Sequence, residues 1–388
     1  MFAPLHAPIK DYQWGSASAI SDFHRQAPTG SPEAEQWFGG HPLAGTTILQ
    51  GEGDVPFGQW LKGTSTSFPL LVKLLAAATP LSIQVHPDSE QAARGFAAEE
   101  RKGVPRESAA RNYRDSSAKP ELMISLSPAF RALVGFHPPK ALAQRIQRWE
   151  EAGLDGGTAE SARHLAGMST RQCVEWIVFE EEAVRRCVSG LSEWALGEIA
   201  SPLDDVTAAE RAVMASLASA HPGDKGLMFG LIMHHVALGH GEAVFVDAGV
   251  VHAYIQGFGL EVMLPSDNVV RAGLTAKNMD ADEFLALATC EPADRPPVVD
   301  PVDDGSASHY SGFRAPFVVR RLTSGGSVLL DHTSAVIVSE DAHGEVSGAV
   351  SSHSAAQGDV VFVSEDEQKI SFRGEGSLWV VSAKIGQV

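Results

Sequence analysis

Four side chains, distant along the chain, form a plausible metal-binding set. Gln84, His86, Glu121 and His252 supply one amide oxygen, two imidazoles and one carboxylate. That donor mixture suits zinc or a similar borderline divalent ion. Gln84 and His86 sit in Leu81-Ser82-Ile83-Gln84-Val85-His86, a strand pattern stopped by Pro87. Residues two apart on a strand share a face, so Ser82, Gln84 and His86 point one way and Leu81, Ile83 and Val85 the other. A single carboxylate leaves a dication with residual positive charge. Such an ion, with an open position, polarises a carbonyl and stabilises an enediolate. Gln-Val-His alone says little, because a histidine on a strand more often packs or faces solvent. Lys119-Pro120-Glu121 and Val251-His252-Ala253-Tyr254 give it weight.

The segment from Gly241 to Lys277 concentrates the remaining chemistry. It holds His252, Tyr254, Glu261, Asp267, Arg271 and Lys277, a costly mixture for a sheet interior unless it lines a polar pocket. Arg271 is either salt-bridged to Asp267 or Glu261, or a fixed cation beside developing negative charge or a phosphate. Tyr254 is a hydrogen-bond donor or a packing residue. Lys73, on the apolar run Pro69 to Leu75, either reaches solvent at a strand end or lines the pocket. The formal net charge of −18 opposes binding to nucleic acid or an anionic membrane. It also makes Lys73, Lys119, Arg271 and Lys277 informative, since an anionic substrate must overcome a repulsive background.

The elements that position these groups are mainly β, with an α-helical insertion. Ala243 to Val246 reads as a strand, Gly249 as a turn, and Gly257 and Gly259 as a further turn before Glu261. Gln91 to Lys102 is helix-like. From Pro138 the period changes: Leu142, Ile146 and Trp149 share a helical face. A single helix is expected over about 169–189, and another begins at the capping pattern Thr207-Ala-Ala-Glu210. Residues 291–304 read as a linker, and the chain alternates as β from about Ser311. Gly241-Glu-Ala-Val-Phe-Val246 echoes Gly358-Asp-Val-Val-Phe-Val363 without gaps, placing His252 on Lys369 and Glu261 on Leu378. Two units of one jelly-roll kind are implied, with the polar constellation in the first alone. The expected organisation is 1–137 with 228–310 as a discontinuous catalytic domain, 138–227 as a helical insertion, and 311–388 as a C-terminal β domain.

At 388 residues the chain is long enough for two or three domains. No apolar run approaches a membrane span, and the first residues lack a signal-peptide pattern. Cys173, Cys187 and Cys290 form no framework, so cytoplasm is the expected compartment.

Several motifs resemble type I phosphomannose isomerases: YQWGS (12–16), EQWFGGHP (35–42), PLSIQVHPD (80–88), NYRDSSAKPEL (112–122), HPGDKGL (221–227), GEAVFVDAGVVHAY (241–254) and SDNVVRAGLTAK (266–277). They cover most of residues 1–280 in family order, with a weaker match beyond. The resemblance implies a cupin-type metalloenzyme with two jelly-roll barrels and an inserted helical domain. It would interconvert mannose 6-phosphate and fructose 6-phosphate with one zinc per chain. Gln84, His86, Glu121 and His252 would be the ligands and Arg271 the catalytic arginine. Trp14, Ser82, Lys119, Tyr254, Glu261, Asp267 and Lys277 fall on pocket positions. Pro265 and Ala276 depart from the family pattern, where a small residue and a proline are common.

The reaction so implied moves the C2 proton of the open-chain sugar to C1 through a cis-enediol. Glu261 is the first candidate for the base, because a desolvated carboxylate has its pKa raised toward the working pH. Lys119 or a metal-bound hydroxide is the alternative. Spacing and charge suggest Ser82, Lys73, Lys119 and Lys277 for the phosphate. The expected partner is a small sugar phosphate, bound by a monomer. Two alternatives stay open: another cupin metalloenzyme, such as an iron oxygenase, and a non-catalytic sugar-phosphate sensor.

Overall fold

The computed structural model describes residues 1–51, 53–199 and 202–384. It is mixed, with more residues in strands than in helices. The strands that matter are β1 (Phe2–His6), β2 (Glu35–Gly39), β3 (Leu71–Ala77), β4 (Ile83–Val85), β5 (Glu121–Ser125), β6 (Phe130–Phe136), β7 (Met233–Leu238), β8 (Ala243–Val246), β9 (His252–Met263) and β10 (Val270–Gly273). The C-terminal part adds β11 (Phe317–Thr323), β12 (Ser327–Leu329), β13 (Ala335–Ser339), β14 (His343–Ser347), β15 (Ser352–Ala355), β16 (Val360–Val363), β17 (Lys369–Glu375) and β18 (Ser377–Ala383).

In the first unit one run of paired strands is β2-β3-β9-β5-β8 and a second is β10-β4-β9-β6-β7. Strand β9 belongs to both. The turn expected at Gly257 and Gly259 is instead a bend inside this one strand. Gly257 adopts φ 136°, a conformation open to glycine, so the chain changes sheet without stopping. In the second unit the runs are β11-β18-β13-β16 and β12-β17-β14-β15. Each strand from β11 to β16 pairs as its counterpart from β3 to β8 does, and β17 with β18 repeats the two halves of β9.

Alternation along each strand sets the layers. On β3, Val72, Leu74 and Ala76 join Val319, Val336, Val338, Phe362 and Trp379 in a core between the two units. Leu75 and Ala77 face the other way, into the first unit, with Met123, Phe130, Val134, Val246 and Tyr254. Lys73 shares that inward face, so its charge needs a partner inside the protein. On β4, Ile83 and Val85 join the helical core, which leaves Gln84 on the opposite, interior face.

The helix expected near 91–102 spans Ser89–Lys102, and after β6 come α1 (Pro139–Glu151), α2 (Gly156–Ala166), α3 (Thr170–Phe179), α4 (Glu181–Leu196), α5 (Asp205–Ala220) and α6 (Gly226–Ile232). The single helix expected near 169–189 is two, broken at Glu180 (φ −89°, ψ 74°). Glu181 and Glu182 then occupy the first turn of α4, where the helix dipole favours them. Arg145 anchors the helices to the sheet: its Nε donates to Glu210 Oε1 at 3.0 Å, and Nη1 donates to the Leu231 and Met233 carbonyls at 3.0 and 2.8 Å. Within the expected linker, Val298–Val299 and Pro301–Asp303 form short strands, the first paired with β8. Strand β1 pairs with β16 of the C-terminal unit, Phe2 opposite Val363, although its sequence position lies in the stretch expected to be catalytic.

Candidate metal centre

Three strand ends meet at one point. His86 follows β4, Glu121 begins β5 and His252 begins β9, where it pairs with Gln84. His86 Nε2 lies 3.2 Å from Glu121 Oε1, and His252 Nε2 lies 3.5 Å from Glu121 Oε2. One donor atom from each of the three lies within 4.8 Å of the other two. His86 and His252 have no solvent exposure, and Glu121 has 1%.

The hydrogen bonds fix which nitrogen each imidazole presents. His86 Nδ1 donates to the Asn268 carbonyl at 2.8 Å, and His252 Nδ1 donates to the Val250 carbonyl at 3.0 Å. In the neutral ring each Nε2 then carries the lone pair, and both Nε2 atoms are buried without a hydrogen-bond partner. Two lone pairs and an anionic carboxylate aimed at one point fit a zinc-like dication. Burial is the largest influence on His86 and holds its pKa down at about 3, with Lys119 adding to the effect. Burial alone would raise the Glu121 carboxyl, but the Lys119 ammonium pulls it well below the usual carboxylate range. Both ligands are therefore in their metal-binding protonation states. Gln84 is half-buried and stands opposite both His252 and Arg271 in strand register, on the face those side chains share.

Around this cluster lie two sets of charges. The first is internally matched. Lys119 Nζ sits 2.7 Å from Glu121 Oε1, and Tyr254 Oη donates to Glu121 Oε2 at 3.1 Å. Lys73 Nζ lies 2.9 Å from Glu261 Oε2 and 3.6 Å from Glu35 Oε1, with the Trp37 ring centroid 4.7 Å away. Lys73 is thus neither solvent-reaching nor unpaired. Burial raises the Glu261 pKa, with Lys73 opposing and Glu121 reinforcing the rise.

In the second set, Arg271 has no carboxylate partner among the described residues. Neither candidate partner of Arg271 is available to it, since Asp267 pairs with His41 at 3.3 Å and Glu261 with Lys73. Burial lowers the Arg271 pKa, and the nearby Arg114 lowers it further with no carboxylate offsetting it. Lys277 is depressed by burial and then by Arg271, with Glu35 opposing. Arg114, Arg271 and Lys277 thus form a cationic rim. Ser82 is half-buried just ahead of Gln84. Trp14, like Leu81 and Val250, is partly buried against the interior core.

Arg114, His41, Glu35 and Asn268 received no role from the sequence. The signal was present, since all four lie inside the motifs already quoted. Their partners, however, are remote in sequence, and pairing is not visible in a linear pattern.

With this geometry in hand, relatedness can be weighed. The family described as phosphomannose isomerase type I, catalytic domain, matches residues 2–139. Mannose-6-phosphate isomerase of Salmonella typhimurium is 32% identical over 300 residues, covering 73% of this chain and 74% of that protein. The chain belongs to the type I phosphomannose isomerase family. The Escherichia coli member is 28% identical over 397 residues, covering 97% of this chain and 98% of its own. In three dimensions, the Salmonella typhimurium mannose 6-phosphate isomerase solved with fructose 6-phosphate and zinc superposes with a TM-score of 0.85 at 28% identity. That likeness covers 99% of this chain and all of the neighbour, 100%, so family membership extends through the C-terminal unit.

Proposed function

We infer that this member of the family is a zinc-dependent aldose–ketose isomerase interconverting mannose 6-phosphate and fructose 6-phosphate. The observation that carries this is the pair of buried imidazole Nε2 atoms facing the Glu121 carboxylate, beside Arg271, which has no carboxylate partner among the described residues. Gln84, His86, Glu121 and His252 would hold the zinc, which when bound supplies Lewis-acid stabilisation of charge on the sugar oxygens.

The chain's own groups account for the rest. Arg271 stabilises negative charge on the enediol oxygens as it develops; its fixed strand position costs no reorganisation. Its lack of a carboxylate partner leaves that charge available to the substrate. Glu261 is the base in this scheme: it takes the C2 proton of the open-chain aldose and returns it to C1. Its raised pKa supports that role, with Lys119 the competing candidate. Tyr254 holds Glu121 in orientation through its hydroxyl. Of the four residues expected at the phosphate, Lys277 and Ser82 keep that assignment and Arg114 joins them, since Lys73 and Lys119 are paired with Glu261 and Glu121. Lys73 steadies Glu261, and Asp267 with His41 shapes the rim. Trp14 walls the pocket.

The two similarly paired strand units support a double cupin-type jelly roll. In this scheme 1–137 with 228–310 form the catalytic domain, 138–227 the helical insertion and 311–388 the second barrel. We take the protein as a cytoplasmic monomer; among the described residues no helix is long and apolar enough to cross a membrane.

The deciding assay supplies mannose 6-phosphate to the purified protein and measures fructose 6-phosphate. Turnover should vanish on chelation and return with zinc. Persistent turnover without metal would overturn the metal assignment, and absence of turnover in zinc-loaded protein would overturn the isomerase assignment.

A further inference from the structure

The geometry points to Asn268 as a positioning residue that locks the metal-binding end of the site to its cationic end. This rests on the zinc-isomerase assignment above and deepens it. Asn268 has no solvent exposure. Its backbone carbonyl accepts the His86 Nδ1 proton at 2.8 Å and so sets the tautomer that aims His86 Nε2 at the cluster. Its side chain faces the other way chemically, into the 114–117 loop. Oδ1 accepts from the Arg114 and Asp115 amides at 2.8 and 3.3 Å. Nδ2 donates to the Asp115 carbonyl at 2.9 Å, Asp115 Oδ1 at 3.2 Å and the Ser117 carbonyl at 3.0 Å.

The amide therefore meets two donors on its oxygen side and three acceptors on its nitrogen side, a pattern only asparagine or glutamine satisfies. Neighbouring residues brace the same loop. Ser266 Oγ donates to Asp115 Oδ1 at 2.9 Å, and the Asp267 amide donates to Asp115 Oδ2 at 2.9 Å. The loop so held carries Arg114 and runs on to Lys119 and Glu121. The segment holding it runs on to Arg271. One buried amide thus ties together a metal ligand's outer hydrogen bond, the approach to the carboxylate ligand and two cations of the rim. Outer partners of this kind typically alter metal affinity by about 10–100-fold when changed.

Asn268→Asp is the sharpest variant, because it keeps the accepting oxygen and replaces the donor with a carboxylate oxygen facing three acceptors. It should weaken zinc binding by about 10–100-fold in chelator competition. It should also shift the visible spectrum of the cobalt-substituted protein. Asn268→Asp combined with Asp115→Asn puts a donor back across the contact and should recover part of the zinc affinity. A merely structural role would lower the apo-protein melting temperature while leaving zinc affinity and the cobalt spectrum at wild-type values, and that result overturns the proposal. His86→Ala is the reference. If wild type binds zinc no better than His86→Ala, the metal assignment itself fails and the role of Asn268 falls with it. If wild type binds far better but Asn268→Asp matches wild type, the positioning role alone is lost.

Discussion

The side chains around the cluster divide by whether their charge is already answered. Arg271 is not, and that makes it the group whose removal should touch chemistry rather than structure. Arg271→Ala is expected to lower kcat by about 10²–10³-fold, the usual loss for one stabilising donor. Zinc content, measured by metal analysis, should stay at wild-type level. Lys73 is the opposite case. It is 5% exposed and lies between Glu35 and Glu261, so Lys73→Met leaves two buried carboxylates without their cation. Loss of one partner from such a pair costs about 3–5 kcal/mol, readable as a lower urea midpoint in the apo protein. The sequence exposed the two imidazoles and the carboxylate that meet in the cluster, and it set Gln84 on the face of His86 because strand alternation is local. It left the two fates of Arg271 open, because the answer lay in what His41 and Lys73 do to Asp267 and Glu261.

Strand β9 is the element on which the site hangs, since it carries His252, Tyr254 and Glu261 across two sheets. Its bend depends on Gly257. A Cβ there would sit 2.8 Å from the Phe130 Cα, and φ 136° is strained for other residues. Gly257→Val should cost about 2–4 kcal/mol from strain and overpacking, measured by chemical unfolding. The sequence marked this glycine but gave the wrong device, because a turn and a within-strand bend ask for the same residue. Glu180 left no mark at all: nothing in Phe179-Glu180-Glu181 breaks a helix by propensity, and packing decides the corner. At the junction of β6 and α1, His137 lies against His234 with ring centroids 4.0 Å apart and ring planes tilted by 52°. Burial, then Arg145 and His234, holds the His137 pKa down at about 2. An unfolded histidine titrates near 6.5. The unfolded chain therefore takes up the proton first, so stability is whole above about pH 6.5 and declines as pH falls toward 2. His137→Gln should flatten that acid limb in apo-protein unfolding measured across pH.

Across the whole molecule, the two units share strand pairing but not chemistry. Where the first has Gln84 in mid-strand, His86 just after it, and Glu121 and His252 opening theirs, the second has Val328, Leu330, Ala335 and Lys369. Val328, Leu330 and Ala335 sit in its apolar core. Metal analysis should accordingly give one zinc per chain, and His86→Ala should abolish it rather than halve it. The GEAVFV and GDVVFV echo made the duplication legible because strand-forming residues and turn glycines recur at fixed spacing. The contact between units was not legible, since Val72, Val319 and Phe362 look like any buried strand residues. Joining the units also has a temporal side. Leu5 and His6 of β1 find Ile48 and Thr47 early in synthesis, but Phe2, opposite Val363, waits until β16 has been made. Joining of that sheet therefore waits on β16, and nascent chains stalled short of it should leave the Phe2–Pro4 end of β1 unpaired and within reach of chaperones.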